Sequence, residues 1–121
     1  MDISIDEWLD STEELRASLL AYSKSPIPTD PGERQLDVSR ALELGQDAGD
    51  LLADMETFVL QAEAKAVTEV RRIHPDLTAG ERRSMAKCEA ASVIRLRDGV
   101  SVLYRTIKDR RFALMNLNRS A

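Results

Sequence analysis

The stretch VIRLRDGVSVLYRTIKDRRFALMNL, from Val93 to Leu117, decides the fold. Val93, Leu96, Val100, Leu103, Ile107, Arg110, Leu114 and Leu117 follow one another at alternating steps of three and four residues, a spacing that returns to one side of an α-helix every two turns. Every position of this seam is aliphatic except Arg110. An arginine there needs a partner carboxylate, a way out to solvent or an anionic ligand, because a buried, unpaired guanidinium is strongly unfavourable. The seam is read as an oligomerisation surface, with burial inside one protomer as the alternative. Subunit number does not follow from valine and leucine at such positions.

Upstream of the seam, Thr78 and Glu81 form a T-x-x-E capping box, so a third helix is expected over about residues 79–117. His74 precedes Pro75 and is pushed out of the α region, which makes residues 74–80 a turn and His74 a turn residue rather than a ligand or base. Before the turn, apolar or small residues recur at helical spacing from about 33 to 73. The expectation is one long helix or two nearly collinear ones, paired with the third as a long antiparallel hairpin. Gly45 and Gly49 make a G-x-x-x-G step inside it, either a small-residue face that admits a close neighbour or a kink. Residues 23–32, SKSPIPTDPG, hold three of the four prolines and form a stiff connector that lacks the P-x-x-P period of an SH3 ligand. Ahead of the connector, Ser4 and Glu7 make a capping box for a short helix over about residues 5–22. Its seam of Ile5, Trp8, Thr12, Leu15, Leu19 and Tyr22 is read as packed inside the protomer, with Trp8 as the large anchor, since helices this short seldom associate alone.

Composition agrees with an all-α protein forming a single domain over residues 1–121. Glycine and proline number 5 and 4, and aromatics make up 4% of the chain, too few for a sheet core. Cys88 is the only cysteine, expected as a small buried side chain, and His74 is the only histidine. No metal site, cofactor or nucleophile–histidine relay is therefore expected. With no phosphate loop or nucleophile elbow either, the chain reads as a binding protein and not an enzyme. No apolar run approaches a membrane span, and the N-terminus lacks the basic start and apolar core of a secretory signal, so a cytoplasmic setting is expected.

The net charge of −4 conceals a division. Residues 1–66 carry 15 acidic and 5 basic side chains, and residues 67–121 carry 6 acidic and 12 basic. In the basic half, Tyr104, Lys108 and Arg111 share one helix face, with Arg105 and Phe112 beside it. Cations at repeated intervals suit a phosphate backbone, and aromatic rings suit the bases of a single strand. The alternative is that these cations pair with the acidic half and neutralise it inside the fold.

The segment IKDRRFAL, Ile107 to Leu114, with a tyrosine shortly upstream, resembles the I-K-x-R-x-F-A-I segment of the UvsY family of phage recombination mediators. AYSKS, Ala21 to Ser25, is similar to that family's Y-S-K step, and the order of helices agrees. The resemblance implies a small, helical, non-enzymatic homo-oligomer that binds single-stranded DNA, in the cytoplasm of the host cell if it is phage-encoded. It would help load a RecA-like recombinase in place of a single-strand-binding protein. It also implies that cations near the end of the second helix, here Lys65, Arg71 and Arg72, contact DNA, and that the terminal helix carries oligomerisation. The chain departs from the family in being shorter across the turn and in having Glu69 and Val70 where more cations are expected. The competing expectation is a structural or regulatory interaction protein, a phage assembly component or an inhibitor of a host system, that works through its acidic N-terminal half.

Overall fold

The computed structural model describes residues 3 to 120, apart from the side chain of Ser120, and every regular element in them is helical. The helices are α1 (Ile5–Lys24), α2 (Pro31–Ile73), α3 (Ala79–Glu89) and α4 (Ala91–Ser120). They contribute to two compact units. One is built from the chain up to Leu51 together with the chain from Ser101 onward, and the other is Leu52–Val100.

Side chains that satisfy exposed backbone amides start α1, α2 and α3. Ser4 Oγ accepts from Glu7 N at 3.2 Å, and Thr78 and Glu81 close a reciprocal box with bonds of 3.2 and 3.3 Å. At α2, Asp30 Oδ2 accepts from Glu33 N at 3.0 Å. Pro31 takes the first helical position, where its missing N–H removes no helical bond. The connector is consequently shorter than the expected 23–32, and Pro31 and Gly32 belong to α2.

Two sequence expectations are corrected here. The helix expected over 79–117 is interrupted at Ala90, whose φ of −85° and ψ of 3° lie outside the helical region. Nothing in the local sequence KCEAASV breaks a helix, and Ala86 and Ala90 are both buried where it occurs. Cys88 is exposed rather than buried, because burial of Ala86 and Ala90 one turn apart leaves the residue midway between them on the opposite side.

In the first unit, α2 and α4 run antiparallel. Gln35 meets Asn118, Asp37 meets Arg110, Gly45 faces Ile107 and Gly49 faces Tyr104. Neither glycine has a positive φ, and α2 passes through both without a break. Their role is close approach. A Cβ added at Gly45 would lie 3.7 Å from Ile107, and one at Gly49 would lie 3.4 Å from Tyr104. Trp8, Leu19, Ala41, Ala48, Leu51, Ile107 and Leu114 form this unit's core. Thr12, the polar member of the α1 seam, donates to Trp8 O at 2.7 Å and accepts from Arg16 Nε, whose guanidinium lies over the Trp8 ring.

In the second unit, Met55, Phe58, Val59, Ala66 and Val70 of α2 are buried together with Ala86, Ala90 and Val100. Arg97 bonds to Glu56 at 3.5 Å and to Asp98 at 3.0 Å.

Arg110 resolves the question raised by its place in the seam. Its Nε and Nη2 donate to Asp37 Oδ2 at 3.2 and 2.8 Å. Nη1 donates to the carbonyls of Tyr22 and Ser25 at 3.1 and 2.6 Å, and Nη2 also donates to the Pro26 carbonyl at 3.3 Å. A guanidinium has five N–H donors, and these bonds use all of them. The charge also sits at the C-terminus of α1, where it complements the helix dipole and the unpaired carbonyls. Tyr22 completes the cluster. Its ring centroid lies 4.3 Å from the guanidinium carbon, and its hydroxyl donates to Asp37 Oδ1 at 2.7 Å.

The oligomerisation reading of the α4 seam is corrected for its central positions. Ile107 and Leu114 are fully buried and Arg110 is paired within the first unit, while Val100 is buried in the second. Leu103 and Val93 are half-buried, and only Leu96 and Leu117 are exposed. The glycine and alanine face of α2 takes up Ile107 inside the chain, so the seam's centre is not free for a second copy.

Two outcomes follow for the Arg110 cluster. Asp37→Ala leaves a buried cation without its counter-charge and is expected to lower the unfolding free energy by about 3–5 kcal/mol in urea titrations. Burial first, and then the hydrogen bond to Asp37, pushes the Tyr22 hydroxyl from its ordinary 10.0 up to about 12. Above the ordinary value the unfolded chain releases this proton before the folded one does. Stability is therefore expected to fall as pH rises from 10 towards 12, and Tyr22→Phe should remove that part of the pH dependence.

Candidate nucleic-acid interface

Tyr104, Lys108 and Arg111 occupy successive turns of α4 and project from one face of it. The opposing stretch of α2 carries Gly45 and Gly49, and without side chains there a groove of about 220 Å3 opens between the two helices of the first unit. Lys108 and Arg111 line it together with Tyr104, Asp50 and the two glycines. Lys108 Nζ lies 6.0 Å from the centroid of the Tyr104 ring, so a cation and an aromatic surface are offered side by side.

Arg111 Nε is buried and has no hydrogen-bond partner among the described residues, although its guanidinium carbon lies 5.1 Å from the centroid of the Phe112 ring. A buried donor left unpaired costs about 1–3 kcal/mol. The neighbouring Arg110 has every donor satisfied. The helix thus turns one arginine inward to hold the fold and the next towards the groove. Asp50, on the groove wall, is in none of the described ion pairs and offsets one of the two cations.

The other expected contact residues fall into two sets. Arg105 is exposed beside the groove face, one helical turn before Lys108, and does not line the groove. Lys65, Arg71 and Arg72 are exposed on α2 in the second unit. Arg72 bonds to Glu69 at 3.0 Å across an exposed i,i+3 step, whereas Lys65 and Arg71 form no described ion pair. Between the basic and acidic halves, Arg110 pairs with Asp37 and Arg97 with Glu56.

The arrangement can hold an anion next to a flat ring. Among the described residues no three or more histidine, cysteine, aspartate or glutamate side chains are placed to hold a metal ion, and no helix is long and apolar enough to cross a membrane. Sequence reasoning found the α4 face but missed the groove. The signal for it was the G-x-x-x-G step, whose role depends on which helix face comes opposite. Comparison with protein-family models, with curated proteins and with solved structures finds no match.

Adjacent arginines should therefore respond in opposite ways. Arg111→Met removes an unsatisfied donor and is expected to leave the unfolding free energy unchanged or to raise it, by at most about 1–3 kcal/mol. Arg110→Met strands Asp37 and three carbonyls and should destabilise by about 3–5 kcal/mol. Urea titration of the two variants side by side reads the contrast.

Proposed function

We propose that this protein is a non-enzymatic, homo-oligomeric binder of single-stranded DNA, acting as a recombination mediator that assists a RecA-like recombinase against a single-strand-binding protein. The observation that carries the binding role is the groove at Lys108 and Arg111. Two cations and the Tyr104 ring line it, Lys108 lies over that ring, and neither cation is in a described ion pair. The ammonium of Lys108 and the guanidinium of Arg111 suit phosphate oxygens, and an unpaired base adds stacking worth about 1–3 kcal/mol on an aromatic ring. Arg105 on α4 and the exposed Lys65, Arg71 and Arg72 on α2 extend the set of cations available to a backbone. The mediator role and the recombinase partner rest on the resemblance of IKDRRFAL and AYSKS to the UvsY family.

A second reading has its own observation. Asp6, Glu7, Asp10, Glu13 and Glu14 of α1 are all exposed, and none is in a described ion pair. An acidic helix face of this kind suits a protein partner, as a structural or regulatory component would need.

Fluorescence anisotropy with a labelled single-stranded oligonucleotide separates the two readings. Binding is expected to weaken with salt, with a slope in log K against log salt of roughly −0.7 for each phosphate contacted. Lys108→Glu with Arg111→Glu should reduce both the affinity and the slope. Absence of binding at low salt, or binding indifferent to salt, would contradict the DNA reading and leave the acidic face as the working surface.

A further inference from the structure

A second concave surface lies within the Leu52–Val100 unit, on residues that take no part in the first groove. Leu60, Ala64 and Val67 of α2 and Ala86 of α3 line a groove of about 250 Å3, with Arg83 and Lys87 on the α3 side and Glu63 on the α2 side. Leu60 is 68% exposed, a large apolar side chain with most of its surface in water. An apolar floor with a mainly cationic rim fits an amphipathic helix that carries carboxylates.

This chain contains such a helix. The outward positions of α1 at Asp6, Asp10, Glu13, Ala17, Leu20 and Lys24 recur at steps of four and three, and all are exposed. The opposite side of α1, with Trp8, Leu19 and Tyr22, is already committed to its own core and to the Arg110 cluster. The outward stripe has carboxylates at one end, Ala17 and the 48% exposed Leu20 in the middle, and Lys24 at the other end. It matches the groove in type, acids to Arg83 and Lys87, apolar groups to Leu60, and a cation to Glu63.

We propose that α1 of one copy docks in the groove between α2 and α3 of a second copy. The proposal rests on the homo-oligomeric part of the function inferred above and supplies it with a surface, since the centre of the α4 seam is occupied inside the chain. Docked and docking surfaces differ, so the contact is heterologous and propagates from copy to copy until it closes into a ring or continues as a filament. The charged rim makes assembly dependent on salt.

Light scattering on nuclease-treated protein tests this with two charge reversals, Asp10→Lys with Glu13→Lys and Arg83→Glu with Lys87→Glu. At low salt the wild type is expected to have a mass several times 13.5 kDa, and each reversed variant should have the monomer mass with an unchanged circular dichroism spectrum. Mixing the two variants restores opposite charges on every docking pair and should restore the wild-type mass. A wild type that is monomeric both before and after nuclease treatment would overturn the proposal together with the homo-oligomeric reading. An assembled wild type whose mass the reversals leave unmoved would overturn this interface alone. Assembly that disappears with nuclease would mean that nucleic acid, and not α1, bridges the copies.

Discussion

The buried pair of Arg110 and Asp37 is the contact on which the first unit depends. It joins α4 to α2, and through the carbonyls of Tyr22, Ser25 and Pro26 it also fixes the end of α1 and the first proline of the connector. Desolvating a guanidinium and a carboxylate is costly, and Coulomb attraction offsets that cost only when the remaining donors are used. Here all five are used, and the Tyr22 ring covers one face of the guanidinium. Such a cluster tolerates little displacement, because a slip of any of the three helices would leave a buried donor or acceptor unmet. Its contribution is as much to register as to stability.

Register is what the groove requires. Lys108 and Arg111 flank Arg110 on the same helix, so locking Arg110 against Asp37 also sets which residues of α4 face Gly45 and Gly49. The two glycines make α2 a poorer helix by roughly 1 kcal/mol each relative to alanine. In exchange they admit Ile107 and Tyr104 closely and leave the space that Arg111 lines. The missing side chains at the glycines weaken α2 at the place where the groove opens.

Much of the architecture was legible in the sequence because helices announce themselves through periodicity and caps. Ser4, Thr78 with Glu81, and Pro75 marked ends that the structure keeps. The expected antiparallel pairing of α2 and α4 holds within the first unit. The interruption at Ala90 was invisible because alanine favours the helix it interrupts. Exposure of Cys88 depended on the phase that Ala86 and Ala90 impose on α3. The seam shows that Arg110 needs a partner, yet nothing in the sequence singles out Asp37 among the 15 acidic residues of the first half, since that choice depends on how two helices meet 73 residues apart. For the same reason the seam on α4 could be found but not assigned to the inside of the chain, as periodicity shows a buried face without showing what buries it.

The claim that the groove on α4 receives a single strand is tested most directly by ultraviolet cross-linking of the protein to a single-stranded oligonucleotide, with the adduct mapped by mass spectrometry. The account predicts an adduct on the peptide containing Tyr104, lost when Lys108 and Arg111 are both replaced by glutamate. An adduct confined to other peptides, or one that survives that replacement, would contradict it.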